Sequence, residues 1–115
     1  MCYELNSSLS VSQVTPTVSL SSSVGSVTDI KCCKNNYIAM ICGCLQAKSN
    51  STMSSWTKIM SNLPTRSAYG SGNGNIFYNA RLENDYTKFY IDINGNMYAR
   101  CTHATGVDFC FTYVR

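Results

Sequence analysis

Seven cysteines and a single histidine are the side chains with the widest chemical reach in this 115-residue chain. Cys32-Cys33, Cys42-Gly43-Cys44 and Cys101-Thr102-His103 cluster in sequence, and such clusters raise zinc first. A structural zinc site uses knuckles of the Cys-x-x-Cys type, whose turn aims both sulfurs at one ion. The spacing here is different. Adjacent Cys32 and Cys33 point to opposite faces of a strand, and Cys42 and Cys44 fall roughly 6 to 7 Å apart along one. No metal and no cofactor is expected, and the cysteines read as small apolar residues, buried or at an interface.

Pairing of the thiols depends on compartment. Met1-Cys2-Tyr3-Glu4-Leu5-Asn6 lacks the basic start and apolar core of a secretion signal, and seven is odd, so free thiols in a reducing cytosol are expected. Within the Thr28–Ala47 hairpin a disulfide is poorly placed, because Cys33 pairs with Ile38, away from Cys42. A link from Cys101 to Cys110 across the last turn is geometrically possible.

Catalysis finds little support. A Cys-His pair of His103 with Cys101 or Cys110 has neither an oriented base nor an oxyanion hole. Glu4, Asp29, Glu83, Asp85, Asp92 and Asp108 are scattered, whereas glycoside hydrolysis needs two carboxylates about 5 to 9 Å apart. Binding uses these side chains better. Saccharides are held by aromatic rings and by amides, carboxylates and hydroxyls, without net charge. Tyr69, Asn73, Asn75, Asn84, Asp85, Tyr86 and His103, all on or beside loops, are the candidate ligand-binding residues.

The elements that must position them are strands. Tyr86 to Cys101 reads as a hairpin turning on Asn94-Gly95, which supplies two positive φ angles. A two-residue loop pairs Ile93 with Asn96, Ile91 with Tyr98 and Phe89 with Arg100 on a buried face. It leaves Lys88, Tyr90, Asp92, Met97, Ala99 and Cys101 on the other.

Thr28–Ala47 reads as a second hairpin about Asn35-Asn36. Its core face carries Ile30, Cys32, Tyr37, Ala39, Ile41 and Leu45. The opposite face, with Ile38, Met40, Cys42 and Cys44, is too apolar for plain exposure and is the expected oligomer interface. Mid-strand Gly43 marks a bend or bulge.

Further strands are expected at Thr17–Leu20, before a turn at Gly25, at Trp56–Met60, with Trp56 in the core, and at Ile76–Glu83, before a turn at Asn84-Asp85. Val107–Arg115 closes the chain, with Val107, Phe109, Phe111 and Tyr113 alternating against Asp108, Cys110, Thr112 and Val114. Residues 1–16 form a connector or edge segment ahead of a domain spanning 17–115. About seven to eight short strands with regular turn signals indicate an all-β, antiparallel sandwich or barrel.

Composition narrows the partners. Only 13% of residues are charged, and the net charge of +3 comes from Lys and Arg isolated in sequence, without a run that tracks a phosphate backbone. Nucleic acid is not an expected partner. No apolar run approaches the roughly 18 to 20 residues of a membrane helix.

From Trp56 onward the order of features resembles the C-terminal head domains of tailed-bacteriophage tail-fibre and baseplate proteins. Trp56, Ile59, Leu63 and Pro64 are followed by the Gly-rich loop Tyr69-Gly70-Ser71-Gly72-Asn73-Gly74-Asn75, an apolar strand, the Ile93-Asn94-Gly95-Asn96 hairpin and an aromatic closing strand. Val24-Gly25-Ser26-Val27 and Tyr37-Ile38-Ala39-Met40 fit the strand pair that opens such heads. Thr65-Arg66-Ser67-Ala68-Tyr69 keeps an Arg and a Tyr of the family pattern but lacks its Gly and second Pro.

The resemblance implies a jelly-roll-like β-sandwich, a homotrimer at the virion tail tip, assembled in the bacterial cytoplasm among other tail proteins. It implies non-catalytic recognition of a bacterial surface saccharide or protein receptor. A purely structural fibre or baseplate module is the alternative, and a small glycan-processing enzyme the second.

Overall fold

The computed structural model describes residues 11–21, 24–48, 53–65, 76–82, 85–101 and 106–115. Their strands are β1 (Ser12–Val14), β2 (Thr17–Val18), β3 (Val24–Lys34), β4 (Ile38–Ala47), β5 (Met53–Ser61), β6 (Ile76–Leu82), β7 (Asp85–Ile91), β8 (Met97–Cys101) and β9 (Gly106–Val114). Among the described residues none is helical. A four-stranded sheet runs β1-β3-β4-β9 and a five-stranded sheet β2-β5-β8-β7-β6, all neighbours antiparallel. The described strands thus number nine, more than the seven to eight expected, because Ser12–Val14 adds an edge strand to β3.

The sheets enclose one core, to which the four-stranded sheet contributes Ala39, Ile41, Leu45, Phe109 and Tyr113 and the five-stranded sheet Ile59, Met60, Phe89, Ile91, Met97 and Ala99. Phe89 bridges the layers: its ring centroid lies 4.9 Å from that of Phe109 and 5.1 Å from that of Phe111. Gly43 permits this packing, because a Cβ there would come within 2.8 Å of the Phe109 ring of its cross-strand partner. The β4–β9 ladder runs past Gly43 without a register shift, but on the other side of β4 Gly43 lies opposite an irregularity of β3, between Thr28 and Lys31, the partners of Cys44 and Cys42, where Asp29 has φ of 55°. Gly25 likewise lies inside β3, at a second register shift between Val24 and Ser26, rather than in a turn.

Both hairpins turn on longer loops than expected, with opposite consequences. Asn35 organises the first: its Oδ1 accepts from the amides of Tyr37 (2.7 Å) and Ile38 (2.8 Å), and its own amide donates to the Ile38 carbonyl. Cys33 therefore pairs with Met40 instead of Ile38. A shift of two residues preserves the faces, since side chains alternate with period two. Ala39, Ile41 and Leu45 are buried, and only Tyr37, left in the loop, is exposed at 62%.

The second hairpin shifts by one. Asp92 Oδ1 accepts from the amides of Asn94 and Asn96, both at 2.9 Å, and the Gly95 amide donates to the Asp92 carbonyl. Gly95 has φ of +83° and Asn94 has no positive φ, so this is a three-residue loop rather than a two-residue primed turn. Ile91 then pairs with Met97, Tyr90 with Tyr98, Phe89 with Ala99 and Lys88 with Arg100. An odd shift exchanges one strand's faces. Phe89 and Ile91 stay buried, but their companions are Met97, Ala99 and Cys101; Tyr98 and Arg100 move to the outer surface, and Ile93 is 38% exposed.

A segment after β5 ties the sheets together. Leu63 and Pro64 are buried, and the Leu63 amide donates to the Gly95 carbonyl within the five-stranded half. From the other sheet the Tyr113 hydroxyl donates to the Pro64 carbonyl at 2.7 Å, and Arg115 Nε donates to the Thr65 carbonyl at 2.9 Å.

Candidate functional site

Of the loop residues expected to bind ligand, Tyr69, Asn73, Asn75, Asn84 and His103 lie outside the described residues. Asp85 and Tyr86 open β7, in register with Leu82 and Arg81, so Asp85 belongs to the strand and not to a turn. Their side chains are likewise outside the description.

The expected interface residues do share a surface. Ile38 is 45% exposed on β4, and Met40, Cys42 and Cys44 follow at alternate positions, half-buried. Val114, the cross-strand partner of Ile38, is 58% exposed. Val11, Ile38, Met40 and Thr112 line a depression of about 160 Å³ on this surface; a second, of about 370 Å³, lies between β1 and β3 and includes Gln13, Lys31 and Cys33.

Cysteine pairing differs from expectation. Cys42 and Cys110, directly opposite on β4 and β9, form a disulfide. Cys101, buried in β8, belongs to the other sheet and cannot reach Cys110, which faces outward. The pairing was hidden because it joins strands 68 residues apart. Cys32, Cys33 and Cys44 are free thiols. A hydrogen bond to Asp108 pushes the Cys44 thiol's pKa up, with burial and the charges of Asp108 and Asp29 adding to it and a bond with Thr28 opposing. Among the described residues no three His, Cys, Asp or Glu side chains converge as a metal ion would need.

Burial raises the Cys32 thiol from 9.0 to about 11, aided by the charge of Cys33 and opposed by Lys34. The folded state holds this proton where the unfolded chain releases it. The resulting stabilisation is complete below about pH 9 and is lost as pH rises through about 11. Urea unfolding across that range is expected to show a fall in stability that Cys32→Ala reduces; identical pH profiles for the two proteins would disprove it.

The outer surface of the five-stranded sheet carries the arrangement with the clearest binding chemistry. The one-residue shift places Tyr98 beside Tyr90, rings stacked at 4.6 Å and 11°. Trp56, expected in the core, is half-buried on this surface and meets Tyr90 edge to face at 4.7 Å and 86°. β5 departs from regular pairing on both sides of Thr57-Lys58, so Ile59 and Met60 are both buried while Lys58 pairs with Tyr98 on the outside.

Asp92 borders the cluster. Its Oδ2 accepts from Asn96 Nδ2 at 3.1 Å and from the Tyr98 hydroxyl at 3.4 Å. Burial, and then the Asp92 charge, raise the pKa of Tyr90 and Tyr98, so both phenols remain protonated hydroxyls at neutral pH. Lys58, the cross-strand partner of Tyr98, is exposed, as are Arg100, two residues along β8, and its partner Lys88. Half-exposed rings with fixed hydroxyls suit stacking against a sugar and bonding to its hydroxyls. A focus on loops overlooked these residues, although Tyr90 alternates with Phe89 and Ile91 and so had to face away from them.

Comparison with protein families, with curated proteins and with solved structures finds no match.

Proposed function

We propose that this chain is a non-catalytic receptor-binding head domain of the tail-fibre or baseplate type, which recognises a saccharide of the bacterial surface. The Trp56–Tyr90–Tyr98 cluster carries the proposal: three large aromatic side chains are held half-buried on an outer sheet surface instead of in the core. The all-β architecture of two antiparallel sheets is compatible with the jelly-roll the resemblance implies.

Self-association into a homotrimer belongs to the same proposal. The apolar strip of Ile38, Met40 and Val114 on the four-stranded sheet faces away from the aromatic cluster and offers a surface for neighbouring copies. One surface thereby serves assembly while the other stays open at the tip of a virion.

Native mass spectrometry and binding to immobilised bacterial envelope saccharides test this together. A trimer is expected, converted to monomer by Ile38→Glu, with saturable retention on the saccharides and no release of reducing ends. A trimer retained on no envelope saccharide would overturn receptor binding in favour of a structural module. A monomer would remove the assembly role of the β4 strip.

A further inference from the structure

We infer that the ligand of the aromatic surface is an acidic saccharide, whose ring lies over Trp56, Tyr90 and Tyr98 and whose carboxylate or phosphate is met by Lys58 and Arg100. The inference rests on the receptor-binding proposal and narrows its ligand. Sheet pairing assembles the charges: Lys58 is the cross-strand partner of Tyr98, and Arg100 stands two residues further along β8. Both are exposed.

Asp92, the carboxylate bordering the rings, is already engaged through both oxygens. Oδ1 accepts from two loop amides, and Oδ2 from the Asn96 amide and the Tyr98 hydroxyl. The Asp92 oxygens are thus turned to donors of their own chain, and exposed Lys58 and Arg100 are left to meet a negative group of the ligand.

The two phenols present hydroxyls beside the cations, which suits a polyhydroxylated ring.

Titration of the full chain with polygalacturonate, a sialic acid polymer and ribitol-phosphate teichoic acid, against dextran and single-stranded oligo-dT, tests the inference. At least one acidic polymer is expected to bind more tightly than dextran, and more weakly as salt is raised. The double variant Lys58→Ser/Arg100→Ser, altered only at exposed positions, is expected to lose about tenfold or more in affinity for it. Trp56→Phe should retain most of the binding.

Equal affinity for dextran, indifferent to the double variant, overturns the acidic ligand and leaves receptor binding standing. Tighter binding of oligo-dT overturns it in favour of nucleic acid. Failure to bind any of the polymers, with envelope saccharides still retained, overturns the acidic class alone; loss of both overturns the receptor-binding proposal as well.

Discussion

Phe89→Ala is expected to lower the free energy of unfolding by about 4 kcal/mol, the range for an aromatic side chain deleted from a close-packed core. Phe89 has no exposed surface, and its ring touches Phe109 and Phe111 of the facing sheet. The cavity would open between the layers, where neither sheet can close it alone. Phe109 is held by its packing over Gly43, and β7 is paired on both sides, to β6 and β8. Domains of this size have about 5–15 kcal/mol in all, so the variant should be poorly folded at physiological temperature. Phe89→Leu, which keeps most of the volume, should cost roughly 1.5 kcal/mol or less. Urea unfolding of both variants provides the check. A loss under about 1 kcal/mol for the alanine variant would mean that the two sheets do not share a core at this position.

Gly95→Ala is expected to cost about 3 kcal/mol through two separate terms. The φ of +83° is one that L residues adopt at a cost of about 1–2 kcal/mol. A Cβ would also overlap the Leu63 carbonyl oxygen. Overpacking of that kind adds about 1–3 kcal/mol when the neighbour cannot yield. Leu63 is poorly placed to yield: its amide donates to the Gly95 carbonyl, and the next carbonyl, of Pro64, accepts from buried Tyr113. Gly95→Asn separates the terms, since Asn tolerates positive φ but carries the same Cβ. It should remain destabilised by more than about 1 kcal/mol. Wild-type stability in the Asn variant would show that the dihedral alone explains the glycine.

Gly95 also bears on the aromatic surface. The loop it closes determines that Tyr98, rather than Met97, faces outward to stack on Tyr90. A variant that forced a two-residue loop would turn Tyr98 and Arg100 inward against the core. The aromatic cluster and part of its positive charge would be lost together.

Much of the fold was legible from alternation alone. Val107, Phe109, Phe111 and Tyr113 turn inward along β9 while Asp108, Cys110, Thr112 and Val114 turn outward, as their order predicts. Ala39, Ile41 and Leu45 do the same along β4. The site was less legible. Trp56, Lys58, Tyr90, Tyr98 and Arg100 come from three strands, and their charges look isolated when read along the chain. Trp56 reads as core beside Ile59, yet three residues along a strand put the two on opposite faces, and Ile59 takes the buried one.

Read alone, the chain of residues determined that strands form, where most of them lie and which side chains within a strand share a face, because alternation is a local property of extended backbone. Tertiary structure decided how those faces are matched between strands. That match depends on loop length, and here loop length depends on bonds that the Asp92 carboxylate accepts and on the docking of Leu63 against Gly95, neither of which is written in the periodicity. The same holds for Cys42 and Cys110: which thiols meet is settled when β9 closes against β4.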